Sequence, residues 1–193
     1  MSLKHNVYAL DAPVSGGVTG AENGTLTFMV GGESSKFEKA KKVFDIMGSR
    51  AIFCGDSGSG QATKICNNLI VGISMIGVCE AFALAEKLDL NKQKVFDVIS
   101  SSSGQCWSIN SYCPIAGVGP KTPADNKYKP GFSSELMLKD LKLARSSAKE
   151  SQVKIPLTNA AHNLYQAFVN SDGKGKDFSA ILNFLNKLDN HVY

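Results

Sequence analysis

The sequence of 193 residues has few features that mark metal sites, disulfide frameworks or nucleic-acid binding. Its five cysteines are an odd number without a C-x-x-C pair, and no histidine neighbours them at the spacing of zinc ligands. We therefore expect reduced, mostly buried thiols in an intracellular protein, with no bound metal. The net charge of +4 comes without a block of basic residues, which does not favour binding to nucleic acid or to an anionic membrane.

Targeting and membrane segments are also not evident. Residues 1–6 contain neither an apolar run nor an arginine-rich amphipathic pattern, so no signal or transit peptide is expected. Residues 65–85 are apolar enough to suggest a membrane span, but Glu80 lies within them, and a carboxylate near the middle of a span costs ~2.5–3.5 kcal/mol. This pattern favours a buried helix of a soluble protein.

Residues 7–57 favour a small α/β arrangement. The apolar run 7–14 predicts a buried strand, and residues 25–30 and 51–54 predict two more. Between them, Ser35 and Glu38 have the spacing of a capping box at the start of a helix. Three strands and one helix make a marginal sheet, which predicts the tail of a larger α/β domain whose front is absent from this chain.

From residue 58 the pattern becomes helical. A long helix over 61–88 is apolar on nearly every face, so other helices are expected to surround it. The stretch 101–132 is rich in serine, glycine and proline, and a loop of that length is usually functional. Further helices are expected to begin at Asn91, Ser133, Pro156 and Asp177. We therefore predict two domains, residues 1–57 and 58–193.

Glycines just before the long helix resemble a phosphate loop only superficially. Gln61 occupies the position at which a P-loop has lysine, and Thr63 replaces the third glycine of a dinucleotide fingerprint. A flexible joint between strand and helix is therefore the favoured interpretation of Gly58-Ser59-Gly60.

Two short stretches carry polar groups suited to chemistry. Lys64 and Asn68 share one face of the long helix, where the lysine either extends to solvent or exchanges a proton with a substrate hydroxyl that Asn68 orients. Ser15-Gly16-Gly17 offers a hydroxyl and backbone N–H groups to a carboxylate, or forms a plain turn. By periodicity alone, Lys139-Asp140 is a solvated pair.

Several ordered motifs together resemble the β-hydroxyacid dehydrogenase family over almost the whole chain. They are DAPVSGG at 11–17, GSGQATKICNN at 58–68, the Trp107-containing SGQCWS at 103–108, and Gly131-Phe132 ahead of LMLKDLKLA at 136–144. The Trp107 stretch is similar to the branch that acts in valine breakdown rather than to the tartronate semialdehyde or glyoxylate reductases.

This resemblance implies a mainly α fold. It consists of an all-helical domain like the C-terminal domain of 6-phosphogluconate dehydrogenase, preceded by a β-β-α-β remnant of a Rossmann-type domain. It also implies an oxidoreductase that takes hydride from a β-hydroxy acid onto NAD. By resemblance, Lys64 is the general acid/base, Asn68 orients the substrate, and Ser15, Gly16 and Gly17 bind its carboxylate.

The resemblance also assigns residues in the helical part. Trp107 contacts substrate, whereas Lys139 and Phe132 lie at the cofactor. The residues that would discriminate NAD from NADP belong to the part of the family's dinucleotide fold that is missing here. We therefore expect this chain alone to bind NAD weakly and to turn over negligibly.

The family implies a small hydroxy-acid substrate and a homo-oligomer, with no nucleic-acid or membrane partner. It implies the mitochondrial matrix in a eukaryote and the cytoplasm otherwise. Two alternatives remain open: a related reductase of short aldehyde acids, and a non-catalytic helical assembly module.

Overall fold

The computed structural model describes residues 7–188. The chain divides at Asn67/Asn68 into two compact units. The elements are, in order, β1 Val14–Ser15, α1 Gly17–Glu22, β2 Leu26–Gly31, α2 Ser34–Met47, β3 Gly48–Gly55, α3 Ser59–Lys87, α4 Lys92–Ser101, α5 Trp107–Asn110, α6 Ser134–Glu150, α7 Pro156–Phe168 and α8 Ile181–Leu185. Short 3-10 turns cover Pro123–Asn126 and Phe178–Ala180, and a π-helical turn covers Val169–Gly173.

A three-stranded sheet forms the centre of the first unit. Its order is β1-β2-β3, with β1 antiparallel to β2 and β2 parallel to β3. The parallel pair is joined through α2, which is the β-α-β connection typical of α/β domains. Phe28 of β2 lies with its ring 4.9 Å from the ring of Phe44, so the apolar face of α2 covers the sheet.

The first predicted strand is largely wrong. Regular pairing is limited to β1, preceded by a single bridge between Asp11 and Gly31. Val7 and Tyr8 are 56% and 47% exposed rather than buried. The reason is the edge position of β1 together with Pro13, which has no N–H to donate to a ladder.

Two local details of this unit differ from the sequence predictions. A short helix, α1, lies between the first two strands and was not predicted, so the order is β-α-β-α-β. The capping box at the start of α2 is also wrong: Glu33 is the N-cap, and Ser35 lies in the first turn with its hydroxyl on the Glu33 carboxylate. The buried positions Phe37 and Phe44 agree with the prediction.

The second unit is built around α3, α6 and α7. Its core contains Met75 and Cys79 of α3, Leu141 of α6 and Tyr165 of α7, none of them accessible to solvent. The predicted helix starts agree closely: the side chains of Asn91, Ser133 and Asp177 accept backbone N–H groups at the first turns, and Pro156 opens α7. The predicted loop over 101–132 contains only α5 and one 3-10 turn.

The long helix is less enclosed than its composition predicts. By length and hydropathy α3 could cross a membrane, and in this structure it contributes Met75, Cys79 and Phe82 to the core. On its other side, Ile70 is 64% and Leu84 is 60% exposed.

The cysteines are free thiols, as expected from the sequence. Only Cys79 and Cys113 are buried, whereas Cys66 is exposed, so the expectation of mostly buried thiols was too broad. The first six residues, for which no leader was predicted, lie outside the described range.

Candidate active site

A hydrogen bond between α3 and α6, which are far apart in the sequence, fixes the side chain of Asn68. Asn68 is 5% exposed on α3, and its Nδ2 donates to Oδ2 of Asp140 on α6 at 2.5 Å. A carboxylate oxygen only accepts, so this bond sets which end of the Asn68 amide faces away from α6. Asp140 is therefore not simply half of a solvated pair.

The carboxylate of Asp140 also joins Asn68 to a lysine at the surface. Nζ of Lys139 lies 3.0 Å from Oδ1 of Asp140, and the two side chains are 58% and 12% exposed. One oxygen thus faces a buried amide and the other an exposed cation. The second unit brings together Asn68 and Lys139, which the family resemblance assigns to substrate and cofactor.

Lys64 lies on α3 one turn before Asn68 and is half-buried. The spacing i, i+4 puts both side chains on one face of a helix. The Lys64 amine is partly removed from water and the Asn68 amide is oriented. Together they suit proton exchange with a substrate hydroxyl.

Ser15, Gly16 and Gly17 form the bend between β1 and α1. Gly16 and Gly17 have φ angles of 134° and 61°, both in the region that other residues rarely adopt. Both glycines are exposed, and a Cβ at Gly17 would meet no atom within 4 Å. The backbone at Gly17 is thus open to a ligand, which suits the predicted binding of a carboxylate.

Two N–H groups at the start of α3 already bind an internal carboxylate. The N–H groups of Gly58 and Gln61 donate to the two oxygens of Asp11 at 2.6 and 3.0 Å. Burial raises the pKa of Asp11, but these N–H groups lower it more, so that the net pKa lies below the usual 3.8. An internal carboxylate thus occupies the place of an external anion, which supports the interpretation of these glycines as a joint.

Trp107, the first residue of α5, belongs to a chain of aromatic rings. Its ring lies 4.7 Å from that of Tyr112 at an interplanar angle of 25°, and it is 48% exposed. The Tyr112 hydroxyl donates to Oδ2 of Asp177 at 2.8 Å. Burial, with the Asp177 carboxylate adding to it, raises the pKa of Tyr112 well above 10, so this hydroxyl stays protonated. The Trp107 ring therefore stacks on a ring that is itself hydrogen-bonded to Asp177, and it is partly exposed to solvent.

Phe132 and Lys139 are chemically suited to the nicotinamide half of a dinucleotide. Phe132 is half-buried just before α6, with its ring edge-on to Phe178 at 5.5 Å. Its backbone N–H is bound by Asp177 at 3.1 Å, so its position is fixed. An aromatic ring in a fixed position and an exposed cation fit a flat amide-bearing ring and the anionic groups attached to it.

Sequence reasoning missed the roles of Asp140, Asp177 and Asp11. Asp140 was assigned to solvent, and Asp177 was identified only as a helix cap. The signal for Asp140 was present in part, because a polar residue on the long apolar helix requires a polar partner. No local pattern could identify which residue that partner is.

Family models match nearly all of the chain. Residues 58–185 match the model described as NAD-binding of NADP-dependent 3-hydroxyisobutyrate dehydrogenase. Residues 2–55 match the NAD binding domain of 6-phosphogluconate dehydrogenase. The expected fold class, a helical domain after part of a Rossmann-type domain, is thereby confirmed, and both matching models describe NAD-binding domains.

Two similar proteins share the name 3-hydroxyisobutyrate dehydrogenase. A probable 3-hydroxyisobutyrate dehydrogenase of Mycobacterium tuberculosis is 45% identical over 185 residues, covering 96% of this chain and 63% of that protein. The human mitochondrial 3-hydroxyisobutyrate dehydrogenase is 44% identical over 176 residues, covering 91% and 52%. The chain thus spans between half and two thirds of the length of these relatives.

The solved structures agree. The 3-hydroxyisobutyrate dehydrogenase of Mycobacterium tuberculosis with L-serine superposes with a TM-score of 0.89 at 45% identity, covering 95% of this chain and 62% of that one. A 3-hydroxyisobutyrate dehydrogenase from Salmonella typhimurium gives 0.80 at 28% identity, covering 94% and 62%. On the sequence match over 58–185, this chain belongs to the family of NAD-binding domains of 3-hydroxyisobutyrate dehydrogenases.

Proposed function

We propose that this chain supplies the substrate half of a dehydrogenase that oxidises 3-hydroxyisobutyrate to methylmalonate semialdehyde, a step of valine breakdown. The observation that carries the proposal is the buried amide of Asn68, which lies one helical turn after Lys64 on α3 and is hydrogen-bonded to Asp140. The 45% identity to the mycobacterial relative supports it. The L-serine in that relative's structure is itself a β-hydroxy acid.

The chain's own residues have separable tasks in this reaction. The amine of Lys64 takes the hydroxyl proton as the C–H bond breaks, and returns it in the reverse direction. Asn68 holds the hydroxyl oxygen in line with that amine. Ser15, Gly16 and Gly17 bind the substrate carboxylate through a hydroxyl and backbone N–H groups.

The helical unit supplies the remaining contacts. Trp107 gives an apolar face for the carbon skeleton of the substrate, and Phe132 and Lys139 would hold the nicotinamide portion of the cofactor. A dinucleotide bound there would supply the hydride-acceptor chemistry for the oxidation of the substrate carbon. We propose NAD as the cofactor, while the matching family model names NADP-dependent enzymes, so both dinucleotides belong in the assay.

The other expectations remain part of the proposal. We assign residues 1–57 to the dinucleotide-binding domain and 58–193 to the substrate and dimerisation domain, and we expect a homo-oligomer. Ile70 and Leu84, both exposed on α3, support self-association, because exposed large apolar side chains favour burial at an interface. We propose the mitochondrial matrix for a eukaryotic source and the cytoplasm otherwise; the human relative's name includes "mitochondrial".

The experiment uses a fusion protein, in which this chain is joined to the segment of the mycobacterial relative that has no counterpart in it. The chain without the fusion is assayed in parallel. Reduction of NAD and of NADP is followed with 3-hydroxyisobutyrate, and with glycerate for the alternative branch. Lys64→Ala is expected to lower kcat/KM by about 10²–10⁴-fold with an unchanged circular dichroism spectrum. Lys87→Ala, at the exposed far end of the same helix, is the matched control.

Each outcome bears on a specific claim. Full activity of the fused Lys64→Ala variant would contradict the assigned proton transfer. A preference for glycerate would favour the related reductase. A folded fusion without activity on either substrate would favour the non-catalytic assembly module.

A further inference from the structure

The carboxylate of Asp177 has more hydrogen-bond donors than its place at a helix start requires. Oδ1 accepts from the backbone N–H and the hydroxyl of Ser179 at 3.0 and 2.7 Å, which is a complete N-cap. Oδ2 takes no part in that cap. It accepts from the Tyr112 hydroxyl at 2.8 Å and from the N–H groups of Gly131 and Phe132 at 3.0 and 3.1 Å.

The second set of donors is remote in sequence. Tyr112 is 65 residues away from Asp177, and Gly131 and Phe132 are 46 and 45 residues away. Asp177 is fully buried, and a buried carboxylate requires compensation for its lost hydration. Among residues 7–188 that compensation comes from five N–H and O–H donors. The three donors to Oδ2 contribute only while the loop around Tyr112 and the loop at 131–132 stay in place.

Both loops carry residues assigned to the site. Tyr112 is stacked against Trp107, and the ring of Tyr112 lies 5.3 Å from that of Phe178, which in turn packs edge-on against Phe132. The backbone of Phe178 also donates to the Phe132 carbonyl at 2.9 Å. The buried carboxylate of Asp177 therefore connects Trp107, through Tyr112, to Phe132.

Gly131 packs closely against the Tyr112 hydroxyl beside this carboxylate. A Cβ on Gly131 would lie 2.8 Å from the Tyr112 hydroxyl oxygen. A larger residue at this position would have to displace the phenol, so glycine allows the close approach at which its N–H reaches Asp177.

We propose that Asp177 is a positioning residue that sets the orientation of Trp107 through Tyr112, and the place of Phe132 through its backbone N–H. Its effect on the reaction rests on the proposed function. Its effect on Trp107 does not, because that ring can be observed directly in the 193-residue chain.

Trp107 is the only tryptophan in the sequence, so its fluorescence reports on this ring alone. Tyr112→Phe keeps the stacked ring and removes only the hydroxyl bond to Asp177. Asp177→Asn keeps the size of the side chain but replaces one accepting oxygen with an NH₂ group. That group cannot accept the hydrogen bonds that the oxygen accepted. Asp172→Asn is the matched control, since Asp172 is exposed on the same part of the chain and pairs with Lys176.

In Tyr112→Phe we expect a longer emission wavelength and stronger acrylamide quenching of Trp107, because the loosened ring is more open to water. Asp177→Asn should show the same changes if it folds, and Asp172→Asn should show neither. Unchanged emission and quenching in a folded Tyr112→Phe would overturn the proposal, whatever Asp177→Asn does.

Activity distinguishes this inference from the proposed function. In the active fusion, Tyr112→Phe is expected to raise KM for the hydroxy acid about tenfold with a smaller change in kcat, as for the loss of one hydrogen bond to a charged group. Altered fluorescence with KM and kcat both unchanged would overturn the link to the reaction. If Lys64→Ala stays active, the proposed function fails, and the fluorescence result alone decides the role of Asp177.

Discussion

The bond between Asn68 and Asp140 makes a measurable contribution to the stability of the helical unit. A hydrogen bond to a charged group contributes about 1.5–3 kcal/mol net. Both partners are largely buried, which favours the upper part of this range, but Lys139 at 3.0 Å still compensates the carboxylate when Asn68 is removed. We therefore expect Asn68→Ala to lower the free energy of unfolding by about 2 kcal/mol.

A double-mutant cycle isolates the bond from other effects of the two substitutions. Asn68→Ala, Asp140→Ala and the double variant are unfolded in urea, and the transition is followed by the emission of Trp107, which lies in the same unit. The expected coupling energy is about 1.5–2 kcal/mol, with an unchanged dependence on urea. Lys139→Ala is the control: the ion pair that it removes is exposed on the lysine side, so the change should stay within about 0.5 kcal/mol.

The cycle has a clear negative result. Residues that do not interact give additive effects within about 0.3–0.5 kcal/mol. A coupling energy of that size would show that Asp140 does not hold Asn68, and the argument for an oriented amide beside Lys64 would fail with it.

Three further predictions concern other parts of the chain. Leu141→Ala, at a fully buried core position, is expected to lower the free energy of unfolding by about 2–5 kcal/mol, whereas the 58% exposed Val153→Ala should change it by less than about 0.5 kcal/mol in urea. Gly17→Ala and Gly77→Ala both place a methyl group in open space. The first should cost about 1–2 kcal/mol because φ is +61°, and the second should stabilise α3 by about 1 kcal/mol; thermal unfolding that ranks the pair in reverse would contradict this. The pKa of Asp11 in the folded chain lies below 3.8, so its stabilisation is complete above that pH and is lost as the pH falls through the folded pKa. The difference in unfolding free energy between the parent and Asp11→Asn should therefore shrink below pH 3.8 in acid titrations. A constant difference would count against this argument.

The helical unit was largely predictable because its signals are local. Asn91, Ser133 and Pro156 mark helix starts through contacts within one turn, and the buried positions of α6 repeat at helical spacing. The first strand could not be predicted in the same way. The sequence shows that residues 7–14 are apolar, but their burial depends on which strands flank them. Within residues 7–188, β1 has a neighbouring strand on one side only.

The sequence by itself determined the family, the helix starts and the residue types available for chemistry, because motifs and capping residues act within a few positions of the chain. Only the tertiary structure decided the partners of Asn68, Tyr112 and the start of α3. Each is held by an aspartate 47 to 72 residues away, and nothing local distinguishes these three carboxylates from the solvated ones. The physical reason is that a carboxylate becomes structural through burial and the donors brought to it, and folding alone supplies both.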